Sequence, residues 1–326
     1  MKKIIVLVCA FGILFSCKEG AEAQHIPSSS GRLNNLSVVV DHQNWKGEIG
    51  EHLRKVLASP VDGLPQQEPM FNINHIPTNA FTGFVRNNRT FVKIIKTETP
   101  YFSIVTDTFA KPQTGIFIGG SNIAEITKEI DEQKPAILKA IRDTEITEKQ
   151  RRIAKSLKDD KKITEKLHIN IDFPTAYRYA KEGDDFFWIR KDIPKGSMEI
   201  LLYQVPLSKI DENNVVADII KIRDSIGKKY IPGPSGDVED SYMRTEEAFS
   251  PYLFTTKIDG KFAYETKGTW DVKGAFMAGP FVNYAIRDEK NNRYLIAEGF
   301  LFRPSVNKRD HMLELEAILK SIKFKN

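Results

Sequence analysis

Metal chemistry would have to come from six histidines, His25, His42, His52, His75, His168 and His311. No two stand three to five residues apart and no His-Glu-x-x-His occurs. A metal site would therefore have to be assembled from distant segments, and scattered surface or strand histidines are the simpler reading. Gly119-Gly120-Ser121 lies between an apolar strand and a helix, where backbone N–H groups could hold an anion. It lacks the Lys-Ser/Thr of a phosphate loop and the third glycine of a dinucleotide fingerprint, so a tight turn with an N-cap accounts for it. No Gly-x-Ser-x-Gly elbow is present. The acidic pairs Asp184-Asp185, Glu239-Asp240 and Glu246-Glu247 sit in polar segments and read as solvated loop or cap residues. Asp237-Val238-Glu239-Asp240 lacks the alternation and glycine of a calcium loop. The expectation is neither a metal nor a cofactor, and no catalytic residue is assigned.

Recognition is the chemistry with most local support. The segments Tyr230–Tyr242 and Gly268–Phe281 are rich in Gly and Pro and carry Tyr230, Tyr242, Trp270, Phe276, Met277 and Phe281. Aromatics and Met on irregular backbone can make a recognition surface. The competing account is that Gly and Pro bend the strands while the aromatics pack beneath. Tyr230, Tyr242, Trp270, Phe276 and Met277 are the candidate binding surface.

The only cysteines are Cys9 and Cys17. Lys2 and Lys3, the apolar run Ile4–Phe15 and then Ser16-Cys17 have the order of an export signal. Twelve apolar residues span about 18 Å as a helix, short of a bilayer core. Ending on Cys, the segment resembles a bacterial lipoprotein signal, which implies cleavage before Cys17 and a diacylglyceryl group on its thiol. No disulfide or thiol nucleophile is then expected in the folded body. Net charge is +5 over the chain and falls by two with the loss of Lys2 and Lys3. The basic residues are dispersed, which argues against a nucleic-acid partner.

The hydrophobic fraction of 41% can bury a normal core, and the length suits two domains. Residues 1–16 are read as the signal, 17–35 as a lipidated polar tether, 36–162 as an N-terminal α+β domain and 163–326 as a C-terminal one. In the first, Asn44 is expected to cap a helix carrying Trp45, Ile49, Leu53, Val56 and Leu57. Strands are expected at Phe71–Ile76, Thr90–Lys96, Tyr101–Phe109 and Gly115–Ile118. A long helix follows, split by Pro135. In the second, strands Leu167–Phe173, Asp185–Arg190 and Ser197–Val205 precede a helix with Val215, Ile219, Ile222 and Ile226 on one face. Two hairpins follow, the first across Asp259-Gly260, and a last helix presents Met312, Leu315, Leu319 and Ile322. This order implies mainly antiparallel sheets with helices on one face, an α+β fold of two sandwich-like domains. Phe71–Thr78 echoes His168–Thr175, a faint sign of duplication.

Three stretches, Arg223–Pro234, Gly268–Val282 and Lys308–Leu319, resemble an exported lipoprotein family described as domain of unknown function 4837, over essentially the whole mature chain. Ala278 and Thr269 depart from its pattern. The family implies an address and a fold but no activity. The C-terminal half is also similar to PsbP-like α/β/α sandwich domains, which act mostly as assembly or accessory proteins. The expected function is therefore a non-enzymatic envelope lipoprotein, a binding or assembly/accessory protein that takes a protein partner or an envelope component. The alternative is a hydrolase of an envelope or nutrient polymer using carboxylates assembled by the fold. Lys18 after the lipidated Cys17 points to the periplasmic face of the outer membrane.

Overall fold

The computed structural model describes residues 26–234 and 240–325. The signal segment, Cys17 and the tether as far as residue 25 lie outside them, as do residues 235–239 of the Tyr230–Tyr242 segment.

The first unit is a five-stranded sheet of β1 (Asn35–Val39), β2 (Asn72–Ile76), β3 (Thr90–Lys96), β4 (Tyr101–Thr106) and β5 (Thr114–Gly120), in the order β2-β1-β3-β5-β4. The β1–β2, β1–β3 and β3–β5 pairings are parallel and only β4 runs antiparallel. Parallel pairing suits the nearly continuous apolar runs of β3 and β5. Helix α1 (His42–Lys46) is capped by Asp41, which accepts from the Asn44 N–H at 2.9 Å. Asn44 is therefore inside a helix rather than its cap, and Gly47 separates α1 from α2 (Glu48–Leu57). Helices α3 (Ile123–Glu132) and α4 (Lys134–Ile153) part at Gln133, with Pro135 in the first turn of α4, where its missing N–H costs nothing. Ile49, Leu53, Ile126, Ile130, Ile137 and Ile141 pack on Leu36, Val38, Val92, Ile94, Ile116 and Ile118.

The described part of the expected tether, from Ser28 to Asn35, is bound to the first unit. Ser28 and Ser30 bridge to Lys111 and Asn88. The guanidinium of Arg89, ion-paired with buried Glu145 at 3.0 Å, also donates to the carbonyls of Gly31 and Arg32. Backbone bonding holds this stretch, which hydropathy does not reveal.

The second unit opens with α5 (Lys161–Leu167), which takes the start of the expected Leu167–Phe173 strand. Ile163 and Leu167, one turn apart, are both buried, and only β6 (Ile169–Asn170) remains as strand. Strand β7 (Arg178–Glu182) was not expected; then come β8 (Phe186–Ile193), β9 (Gly196–Pro206), α6 (Val215–Tyr230), β10 (Met243–Thr245), β11 (Tyr252–Ile258), β12 (Lys261–Val272), β13 (Ala275–Asp288) and β14 (Arg293–Phe302). Helix α7 (Arg309–Leu319) and β15 (Lys323–Phe324), which pairs with β6, close the chain. The large sheet is antiparallel throughout, in the order β10-β12-β13-β14-β9-β8-β7, with β11 lying beside β10 on the same edge of β12.

Strand alternation turns Phe281, Ala285, Ile296 and Phe300 to one face, beneath Ile219 and Ile222 of α6. Val282, Tyr284, Ile286 and Leu301 face the other way, beneath Leu313, Leu315 and Ile318 of α7. The helices thus cover both faces of this sheet, not one, because each helix has its own apolar strip. The fold is α+β, with mainly antiparallel pairing, and the parallel ladders are confined to the first unit. That difference in topology removes the suggested duplication.

Helix α4 belongs to both cores. Its Ile137 and Ile141 pack in the first, and its Ile146 and Ile153 in the second. Across the junction, Gln150 donates to the Ala317 carbonyl at 3.0 Å and Lys149 pairs with Glu314 at 2.5 Å. Glu68 accepts from the N–H groups of Lys308 and Arg309 at the start of α7, at 2.6 and 3.0 Å.

A candidate binding cleft between the two units

Where the sheet of the second unit extends beyond α7, its face meets the Ser59–Met70 loop of the first unit. The result is a cleft of about 920 Å³. Pro60, Val61, Leu64, Met70 and Leu138 form one wall. Gly268, Thr269, Ala278 and Gly279, with Phe249 and Tyr252, form the other. Two features hold the loop against the sheet. Gly63 has φ +79°, and a Cβ there would sit 2.8–2.9 Å from Lys267 and the Gly268 nitrogen, so only glycine allows the approach. Glu68 fastens the far end of the loop to α7. Phe249 is 73% exposed on the rim, a large apolar side chain presented to solvent at a domain junction, where ligand sites concentrate.

A charged cluster lies beneath the cleft. Arg142 of α4 and Glu316 of α7 form an ion pair. Lys267 of β12 sits 2.8 Å from Glu265 and 3.9 Å from Glu316, Lys320 is 2.9 Å from Glu316, and Tyr284 donates to Glu265 at 3.0 Å. Burial by itself would raise the proton affinity of Glu316. Arg142, Lys267 and Lys320 outweigh it and hold this carboxyl well below the usual range. Burial likewise works against the charge on Lys267, yet Glu316 and Glu265 raise its proton affinity overall. Glu316 and Lys267 are thus both held toward their charged forms, and the cluster draws residues from both units.

The opposite face of the same sheet has a second charged cluster. Arg223 of α6 and Glu298 of β14 form a two-pronged pair at 2.7 and 2.8 Å, each about 1% exposed, with the guanidinium 3.6 Å over the Phe281 ring. Asn283 donates to Glu298 at 2.9 Å. No cleft among those described opens onto it.

The sequence-derived surface residues separate accordingly. Trp270 is 2% exposed and packs against Phe300 and Phe302 beneath α6, so it belongs to the core and leaves the candidate surface. Met277 is half-buried against the same core. Tyr230 stacks on Phe186 at 4.0 Å, with Lys181 and Lys229 over its ring. Tyr242 lies under Lys228 and Lys273, both of which reach Asp240. Phe276 is fully exposed, and by alternation it shares a face with Ala278 of the cleft wall, two residues along β13. Phe276 is therefore the one sequence candidate on the cleft side. Phe249 and Tyr252 were missed, because pattern alone does not say which aromatics border a junction.

Ser121 and its neighbours also resolve. The Ser121 N–H donates to Glu125 at 2.8 Å and Asn122 accepts from the Glu125 N–H at 3.0 Å, so the helix's own carboxylate takes the place an anion would occupy. Glu125 is correspondingly held below the usual carboxylate range by the Ser121 backbone and hydroxyl. Among the described residues no cluster of three or more His, Cys, Asp or Glu side chains is placed to hold a metal, and no helix is long and apolar enough to cross a membrane.

Residues 156–321, covering the large sheet with α6 and α7, match the family Domain of unknown function (DUF4837), and the chain belongs to that family. Residues 29–154 match a second family, Domain of unknown function (DUF8532), so the resemblance first seen over the whole mature chain divides between two families at the end of α4. No curated protein matches the chain.

Proposed function

We propose that this protein is a non-enzymatic binding or assembly protein of the bacterial cell envelope. In this reading a lipid on Cys17 holds it to the periplasmic face of the outer membrane, and a protein partner enters the cleft between the two units. The observation that carries the proposal is the cleft itself, about 920 Å³, where Pro60, Val61, Leu64, Met70 and Leu138 stand among Asp62, Lys134 and Glu246, with Phe249 presented on its rim. Support against the hydrolase alternative comes from the carboxylates. Acid–base work needs two carboxyl groups facing a cleft with proton affinities driven apart. Glu199, whose proton affinity burial raises, bonds Trp188 at 2.7 Å and pairs with Arg190 at 3.4 Å on the α6 face, away from the cleft.

The test is a photoreactive residue at position 249 in cells, followed by mass spectrometry. A discrete cross-linked envelope protein is the expected result. Absence of any adduct, or turnover of an envelope polymer by the purified chain, contradicts the proposal. Labelled fatty acid in the wild type and none in Cys17→Ala tests the anchor.

A further inference from the structure

The edges of the large sheet are unlike one another. Strand β7 carries Arg178, Lys181 and Glu182 and a register shift between Tyr179 and Lys181, the charges and irregularity that discourage strand addition. Strand β11, Tyr252-Leu253-Phe254-Thr255-Thr256-Lys257-Ile258, runs in unbroken register with β12 and has one charge. Tyr252, Leu253 and Phe254 are 53%, 40% and 39% exposed. The rings of Tyr252 and Phe254 lie parallel, 6.4 Å apart, on the cleft side.

The hairpin fixes which backbone groups of β11 are free. Asp259 and Gly260 have φ +50° and +75°, a two-residue turn closed by Ile258 and Lys261. The closing pair of such a turn bonds in both directions. Antiparallel alternation then turns the backbone groups of Thr256, Phe254 and Tyr252 toward β12, and those of Lys257, Thr255 and Leu253 away from the sheet.

We propose that β11 receives an extended segment of a partner protein as an added β-strand, with the partner's apolar side chains continuing into the cleft beside Tyr252. The inference rests on the binding reading above and names the partner's form: a strand of alternating apolar residues with an acidic residue opposite Lys257, which pairs with no described carboxylate. Backbone ladders supply affinity in such additions and alternate side chains supply selectivity. A second copy of this chain fits less well. Seven residues extend about 24 Å, and one ladder of that length falls well short of the roughly 1,200–2,000 Å² that stable interfaces bury. A peptide adds the neighbouring cleft to its contact. Strand β4 is also an edge without charged side chains, but it contributes nothing to the cleft and serves as the control.

The experiment selects binders to the folded chain from a library of nine-residue peptides with alternating apolar positions, then maps the selected peptide by amide hydrogen exchange. Protection is expected at the N–H groups of Leu253, Thr255 and Lys257 and not along Tyr101–Thr106. Thr255→Pro, which removes an outward N–H without touching the β12 ladder, is expected to weaken binding at least tenfold. Phe254→Lys, which leaves every N–H in place, is expected to weaken it as well if the proline variant misfolds. Failure to enrich any peptide, or protection elsewhere, overturns the strand-addition inference. Concentration-dependent dimers abolished by Thr255→Pro would also overturn it, in favour of self-pairing. An adduct from position 249 that persists in Thr255→Pro cells would leave the cleft reading standing and remove strand addition alone.

Discussion

The two faces of the large sheet carry similar charged clusters in different settings. Under α6, Arg223 and Glu298 are about 1% exposed and sealed by a helix of the same unit. On the other face, Arg142 and Glu316 are 15% and 4% exposed, and Lys267 is 21% exposed, because the cover is shared between α7 and the first unit. On the face closed by its own helix, none of the described clefts opens onto the charged cluster. A face closed by a neighbouring unit leaves a cleft wherever the two surfaces diverge. The comparison accounts for Trp270 being core while Phe276, on the other face, projects into solvent.

The largest expected effect lies on the sealed face. Glu298→Ala strands a buried guanidinium and is expected to cost about 3–5 kcal/mol in chemical denaturation. Trp270→Ala, beneath the same helix, is expected to cost a similar 3–5 kcal/mol through lost burial and the cavity left behind. If either loss is small, the α6 face is not sealed as described.

On the shared face, Glu316→Ala is expected to cost less, about 1–3 kcal/mol, because its partners reach water. Its pH dependence follows from the sign of the shift. A carboxyl held below its unfolded value, roughly 4.3, stabilises the fold above that pH. The contribution is lost as pH falls through the folded value. Wild type and Glu316→Gln should therefore differ most near neutral pH and converge in acid, which thermal melts across that range would show. The smallest effect belongs to Phe276→Ala, expected to change stability by less than about 0.5 kcal/mol. A larger loss would mean that this ring is packed.

Sequence periodicity located the longer helices of both units and the Asp259-Gly260 hairpin, since repeated apolar positions and a turn dipeptide are local signals. It did not locate α5, whose two buried residues are too few to show a period, nor β7, whose residues are mostly exposed. The cleft was legible in part. The Gly268–Phe281 segment drew attention through its composition, and it does form part of one wall. Which of its aromatics lies on the cleft side of the sheet depends on strand alternation counted from the paired residues. The opposite wall comes from Pro60–Leu64, distant in sequence and lacking any motif. Gly63 could have marked it, but the reason it must be glycine is a neighbour two hundred residues away.

The central claim is that recognition occurs at the shared face. Its most direct test compares Phe249→Asp on the cleft rim with Phe84→Asp, a ring 86% exposed on the first unit. Each is measured by quantitative in-cell cross-linking with melting temperature as a check on folding. The account predicts that Phe249→Asp loses most of the partner adduct at unchanged melting temperature while Phe84→Asp keeps it. Equal adduct yields from the two variants, or loss only with Phe84→Asp, would contradict it.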